Sequence, residues 1–174
     1  MDDFSTYENA IEIFRKLNCV GQLENNIVGG TIDSSTSANN ISQKVGFRVG
    51  GIAGQAIVCS APTHKKIDII NENFWVLINQ TENGIGILPL DGKRIMLYRP
   101  EKLKPIYKDF AFFSFQEIKS IKMHDSLNMF KTSQTINIKF NEGGKLNLVV
   151  SIVENFVPYQ ESCMKRLMEK YKID

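Results

Sequence analysis

The sequence predicts a mainly β, α+β fold in which several short strands are followed by one C-terminal amphipathic helix. Residues 134–140 alternate apolar and polar side chains, and residues 145–151 repeat that alternation after a turn at 141–144, which is the pattern of a hairpin with one buried face. After Pro158 the apolar residues recur at the spacing of a helix instead. Strands at such short intervals predict a barrel or sandwich rather than alternating β and α units.

The N-terminal third predicts a helix, a short strand and a loop. Residues 4–18 place their apolar side chains three and four positions apart, and acidic residues precede basic ones, as one buried helical face and the helix dipole favour. A short strand is predicted near 24–32 and a polar loop over 33–40. Residues 1–66 are therefore interpreted as an extension, or as the first strand, of a domain that spans 67–174.

A glycine-rich segment occupies residues 45–61. Gly46, Gly50 and Gly54 stand at four-residue steps among apolar neighbours, a spacing that lets another element approach the backbone closely. The first interpretation is a small-residue helix or loop packed against the domain. The alternative is a self-associating or membrane-touching segment, although it is shorter than the roughly 20 apolar residues of a spanning helix.

Further strands are predicted between the glycine-rich segment and the hairpin. Residues 74–79 (FWVLIN) are rich in aromatic and branched side chains, which favour strands. Asn83 followed by Gly84 is a strong signal for a tight turn, so residues 85–90 are the returning strand. Shorter apolar runs predict strands at 95–98, 110–115 and 118–123, with a solvated loop over 99–109.

The chain closes with a predicted amphipathic helix over residues 155–171. Pro158 suits the first turn of a helix, where its missing N–H is not needed. One face of this helix is apolar and consists of Phe156, Cys163, Met164, Leu167, Met168 and Tyr171. We expect this face to cover the open end of a curved sheet, because an amphipathic helix after a run of antiparallel strands needs an apolar surface to cover.

Strands followed by a single C-terminal helix resemble a pleckstrin-homology-like domain, in particular the bacterial members of that superfamily. The resemblance covers residues 67–173 and is carried by 74–90, by 113–123 with its Ile118-Lys119 pair, by the hairpin 135–151 and by the closing helix. It implies a β-barrel or sandwich of about seven strands that serves as a binding or scaffolding module. In lipid-binding members, basic residues of the first strand–loop–strand hold the phosphate, but here residues 24–44 contain only Lys44.

Composition is that of an ordinary globular chain. The 174 residues are 43% hydrophobic and 23% charged, with a formal charge of +2, which is too small to favour nucleic acid as a partner. Basic residues concentrate in the segment 93–108, which is either a solvated loop or a contact with an anionic surface. The basic side chains of that segment are Lys93, Arg94, Arg99, Lys102, Lys104 and Lys108.

No grouping of residues predicts catalysis, a metal or a cofactor. His64 and His124 have no partner at ligand spacing, and the three cysteines are far apart without a CxxC pair, which argues against zinc and against a disulfide framework. Glycine pairs occur without the spacing of a nucleotide-binding loop. The sequence therefore predicts a protein that is not an enzyme.

The leading hypothesis is a non-enzymatic protein-interaction or scaffolding module of a bacterial cytoplasm. It would bind a protein partner, or a second copy of itself, through an exposed sheet edge or through the glycine face at 46–54. The alternative is a peripheral membrane protein that contacts anionic lipid through residues 45–61 and 93–108. A cytoplasmic location is expected because the acidic start, Asp2 and Asp3, does not resemble a secretion signal.

Overall fold

The computed structural model describes residues 3–19, 21, 24–32, 61–92, 102–126 and 132–173. Residues 45–60 of the glycine-rich segment, with Gly46, Gly50 and Gly54, lie outside these residues. Lys93, Arg94 and Arg99 and the strand predicted at 95–98 lie outside them as well.

The fold is mainly antiparallel β with α-helices at both ends, as the sequence predicts. In chain order the elements are α1 (Tyr7–Lys16), β1 (Asn25–Thr31), α2 (Thr63–Asn71), β2 (Trp75–Gln80), β3 (Gly84–Asp91), β4 (Lys104–Pro105), a 3-10 turn (Tyr107–Asp109), β5 (Ala111–Ser114), β6 (Ile118–Asp125), β7 (Ser133–Phe140), β8 (Lys145–Ser151) and α3 (Gln160–Tyr171). The loop predicted over 99–109 thus contains β4 and the 3-10 turn.

Strand β1 lies in the middle of the sheet. The strand order is β4-β3-β2-β1-β8-β7-β6, with β5 pairing β3 beside β4. β1 pairs β2 from Asn25 to Gly30, but it pairs β8 only through Gly30 and Thr31. The sequence left open whether residues 1–66 contribute a strand, and β1 is that strand.

The sheet curves around one apolar interior. Phe113 of β5 and Phe140 of β7 bring their ring centroids to 4.7 Å, although these strands are not neighbours in the sheet. α3 covers the interior beside β1 and β6 as predicted, but Phe156 does not belong to its apolar face, because it precedes the helix and is exposed. The helical side chains buried in this interior are Ile67 and Ile70 from α2, and Cys163, Met164 and Leu167 from α3.

A second apolar layer separates α1 from the outer face of β1–β3. Ile13 and Phe14 of α1 are buried there with Leu77 and Leu88 of the sheet. Strands β2 and β3 are consequently buried on both faces, which explains why they are apolar almost without alternation. The half of the sheet formed by β1–β3 is therefore covered on both faces, by α1 on its outer face and by the apolar interior on the other.

Two helices differ from the prediction. α2 was not predicted, because its buried face contains Thr63 and Lys66 beside Ile67 and Ile70 and so lacks a continuous apolar stripe. α3 begins at Gln160, so the prediction that Pro158 lies in its first turn is wrong. Hydrogen-bonded turns precede the helix instead, since Val157 N–H donates to the Glu154 carbonyl and Gln160 N–H to the Val157 carbonyl.

Candidate interaction face

The described part of the predicted basic segment lies beside β3. Lys102 and Lys104 are exposed on either side of the buried Leu103, and Lys104 lies opposite Asp91 in the β3–β4 pairing. Lys108 is half-buried in the 3-10 turn. These three lysines flank one end of the sheet, and the other predicted site residues lie outside the described part of the chain.

On each of the edge strands β5 and β6, a backbone carbonyl already accepts a hydrogen bond from another part of the chain. The ammonium of Lys66 in α2 donates to the Phe112 carbonyl of β5 at 2.9 Å. On β6, the Ile173 N–H donates to the Met123 carbonyl at 3.0 Å. A partner that adds a strand needs such backbone groups free, so these contacts do not favour the sheet edge as the interface.

The Lys66 contact belongs to an ion pair with Glu117, in which the lysine is buried and the glutamate half-buried. Lys66 lies 2.8 Å from the Glu117 carboxylate and 5.3 Å from the centre of the Phe113 ring, with 5% of its side chain exposed. Glu117 also accepts hydrogen bonds from the Ser114 N–H and hydroxyl. Burial raises the pKa of Glu117, but the hydrogen bonds from Lys66 and Ser114 outweigh it, so that pKa lies below its ordinary value. The pair holds α2 against the β5–β6 turn.

None of the described helices packs on the outer surface of β6, β7 and β8. Inward positions such as Met123, Ile138 and Leu148 are buried, and the intervening positions point outwards. We call this surface the open face. It consists of Ser120, Lys122, His124, Thr135, Asn137, Lys139, Lys145, Asn147 and Val149.

The open face is basic. Lys139 of β7 lies directly opposite Lys145 of β8, and both are exposed. Lys122 of β6 lies opposite Asn137, in the next row of side chains. No outward position of these three strands carries a carboxylate. Like charges directly opposite each other destabilise a sheet, so the arrangement has an electrostatic cost that an anionic partner would offset.

Amide and hydroxyl groups lie in the same row as Lys122 and in the rows beyond it. The Asn137 side-chain amide donates to the Asn147 side-chain oxygen at 2.7 Å, and the Ser126 and Thr135 hydroxyls lie 3.0 Å apart. These contacts join neighbouring side chains across the strands. The face therefore presents hydrogen-bonded polar groups beside exposed lysine ammonium groups.

The interior offers little room for a ligand. A cavity of about 20 Å³ lies between the sheet and α3, which is space for about one water molecule. Its lining is apolar apart from Gln80, and it includes Ile121, Met123 and Leu167. Binding of anything larger would require repacking of this core.

The reactive side chains of the described residues do not assemble into a site. Burial raises the pKa of the Cys163 thiol, which disfavours the reactive thiolate. His64 and His124 are both exposed. Among the described residues, no three His, Cys, Asp or Glu side chains are placed to hold a metal ion.

Sequence reasoning missed the open face although part of its signal was present. The alternation around Thr135, Asn137 and Lys139 correctly predicts that one side of β7 is polar. What it lacks is the knowledge that α1 covers β1–β3, whereas no helix of the described residues covers the outer side of β6–β8. The opposition of Lys139 and Lys145 could have been found by writing the predicted hairpin in register.

No family model, curated protein or solved structure matches the chain. Within the described residues, none of the helices is both long and apolar enough to cross a membrane.

Proposed function

We propose that this chain is a non-enzymatic, pleckstrin-homology-like interaction module that binds a protein partner through its open face. The observation that carries the proposal is the unequal covering of the sheet. α1 buries the outer side of β1–β3, whereas Lys139 and Lys145 remain exposed and opposed on the outer side of β7 and β8.

The order of the elements supports the pleckstrin-homology-like part of the proposal. In chain order, β1, β2 and β3 pair antiparallel, as do β6, β7 and β8, and the single helix after β8 covers the interior. A run of strands closed by one helix is what the resemblance of residues 67–173 implies. Fold alone does not assign a function, so the binding role rests on the open face.

Site-specific photo-crosslinking tests the proposed function. A photoreactive residue replaces Asn137 on the open face, and the matched control carries it at Glu169, an exposed position of α3. We expect one discrete protein adduct from position 137 and none from 169. The purified adduct protein should then bind the wild-type chain and bind Lys139→Gln/Lys145→Gln more weakly. Adducts from position 169 alone, or equal binding to the wild-type chain and to Lys139→Gln/Lys145→Gln, would contradict the proposal.

Peripheral membrane binding is the second candidate. Its structural support is the exposure of Lys102 and Lys104 on either side of Leu103, since each basic residue near an acidic bilayer contributes about 1 kcal/mol. Flotation with anionic and neutral liposomes at low and high salt tests it. Flotation that requires anionic lipid and is lost in Lys102→Gln/Lys104→Gln would favour this candidate. Equal flotation of wild type and variant would remove its support.

A further inference from the structure

The lysines of the open face have no ionic partner in the part of the chain that the structure describes. The described ion pairs involve other cations, namely Arg15, Lys66, Lys165 and Lys172. Lys122, Lys139 and Lys145 are exposed instead and point away from the apolar interior. Three cations on one surface, two of them directly opposite each other, are complementary in charge to an anionic ligand.

The spacing of these lysines suits an extended chain. Neighbouring strands lie about 4.8 Å apart and alternate residues of a strand about 6.8 Å apart. Lys139 and Lys145 thus stand one strand apart, and Lys122 stands one strand and one row from Lys139. Alternate side chains of an extended peptide lie about 6.8 Å apart as well, so successive carboxylates on one side of such a peptide can each reach a different lysine.

The groups beside the lysines favour a peptide over other anions. Asn137 and Asn147 already pair with each other, and their remaining amide groups can hydrogen-bond a peptide backbone. The outward positions carry no aromatic ring, which single-stranded nucleic acids use for base stacking. Val149 is the only apolar side chain there and is half-buried, so the face lacks the apolar group that stable membrane binding needs beside basic residues.

We propose that the open face binds an extended acidic segment of a protein partner, with Lys122, Lys139 and Lys145 as its carboxylate contacts. This inference rests on the proposed function, because it names the chemistry of the partner for the same face.

Titration of the full ¹⁵N-labelled chain with two synthetic peptides tests the inference. One peptide alternates glutamate and threonine, and the matched peptide alternates glutamine and threonine. Amide chemical shifts locate the binding, and fluorescence anisotropy of the labelled peptides gives the affinity. The variants are Lys139→Gln/Lys145→Gln and a control of equal charge change, Lys102→Gln/Lys104→Gln, which lies beside β3.

We expect the acidic peptide to bind and to shift amides of β6–β8, and the neutral peptide to leave them unchanged. The open-face double variant should bind the acidic peptide about tenfold more weakly, and the control variant within about twofold of wild type, because only the former removes two ion pairs. Equal loss in both variants, or equal binding of both peptides, would overturn the inference.

Two further probes separate this inference from the proposed function. Vesicles rich in phosphatidylserine and a single-stranded oligonucleotide are titrated in the same way. Tighter binding of either probe at β6–β8 overturns the peptide as ligand. If the acidic peptide does not bind but position 137 still gives a protein adduct, the acidic segment is overturned as the ligand and the proposed interaction module stands. Failure of both peptide and adduct overturns the proposed function too.

Discussion

The side chain of Gln160 pairs with the backbone of Val28 as a neighbouring strand would. Its Oε1 accepts a hydrogen bond from the Val28 N–H at 2.8 Å, and its Nε2 donates to the Val28 carbonyl at 3.1 Å. The same Nε2 donates to the Ser151 carbonyl at 2.9 Å. β1 pairs β8 only at Gly30 and Thr31, so Gln160 fills the place where the two strands diverge and joins α3 to both.

Gln160→Glu is expected to lower the free energy of unfolding by about 3 kcal/mol, because it removes a donor shared by two buried carbonyls and buries a charge. Urea unfolding followed by circular dichroism measures the loss. The matched control is Gln116→Glu, at an exposed position, which should change the free energy by less than about 0.5 kcal/mol. Similar losses in both variants would show that Gln160 does not join the strands.

The Lys66–Glu117 pair predicts a pH-dependent stability. The pKa of Glu117 in the folded chain lies below its ordinary value of 4.5, so the unfolded chain binds this proton more readily. The carboxylate therefore stabilises the fold above the ordinary pKa, and this contribution is lost as the pH falls through the lower pKa of the folded state.

Near neutral pH, Glu117→Gln should lower the free energy of unfolding by about 1–3 kcal/mol, the range for hydrogen bonds to charged groups. The difference from wild type should shrink as the pH falls below 4.5. Urea titrations at several pH values measure it. Glu169→Gln, at an exposed position of α3, is the control and should follow wild type throughout. A difference that stays constant with pH would show that the lost stability is not electrostatic.

The opposed lysines of the open face predict that one substitution can raise the stability of the fold and lower its affinity for the acidic peptide. Lys145→Glu places a carboxylate opposite Lys139 and should raise the free energy of unfolding by about 0.2–1 kcal/mol while it abolishes binding of the acidic peptide. Thermal unfolding and anisotropy measure the two effects. Lys104→Glu is the control of opposite sign, because it places a carboxylate opposite Asp91 and should destabilise. Destabilisation by Lys145→Glu would contradict the assigned repulsion.

Local patterns predict the strands well because the outward and inward positions alternate in the sequence itself. Ile136 and Leu148 mark the inward side of β7 and β8, and both are buried. Lys66 shows the limit of such patterns. Its ammonium is buried through Glu117 and the Phe112 carbonyl, which are distant in sequence, so no local periodicity marks α2.

The candidate site was harder to predict than the fold because it depends on what covers each face. Lys139 and Lys145 belong to the hairpin that the sequence predicts. They mark a candidate site only because α1 packs on Leu77 and Leu88, in the other half of the sheet. The glycine face at 46–54 lies outside the described residues and remains a prediction. Basic residues that are close together in sequence predict a contact at 93–108. The open face is defined instead by basic residues that lie opposite each other on neighbouring strands.

Two glycines should respond differently to alanine. A Cβ on Gly84 would lie 2.2 Å from the Phe113 carbonyl oxygen, where β3 and β5 pair, so Gly84→Ala should lower the free energy of unfolding by about 2–3 kcal/mol. Gly143 has φ +92° in the β7–β8 turn, with no heavy atom within 4 Å of a Cβ, so Gly143→Ala should cost about 1 kcal/mol of backbone strain. Urea unfolding ranks the two, and the reverse order would contradict the β3–β5 contact.

The position of β1 predicts that residues 61–174 do not fold without the preceding part of the chain. Removal of residues 1–60 takes away β1, the strand between β2 and β8. It also removes α1 and so exposes Leu77 and Leu88, which α1 covers. We expect no cooperative thermal transition by near-ultraviolet circular dichroism, since unpaired strands and exposed apolar surface remove the main stabilising terms. A chain ending at Tyr171 is the control: it loses the Ile173–Met123 hydrogen bond and the Lys172–Asp125 ion pair and should still unfold cooperatively. Cooperative unfolding of residues 61–174 would show that β1 is an addition to the domain rather than part of it.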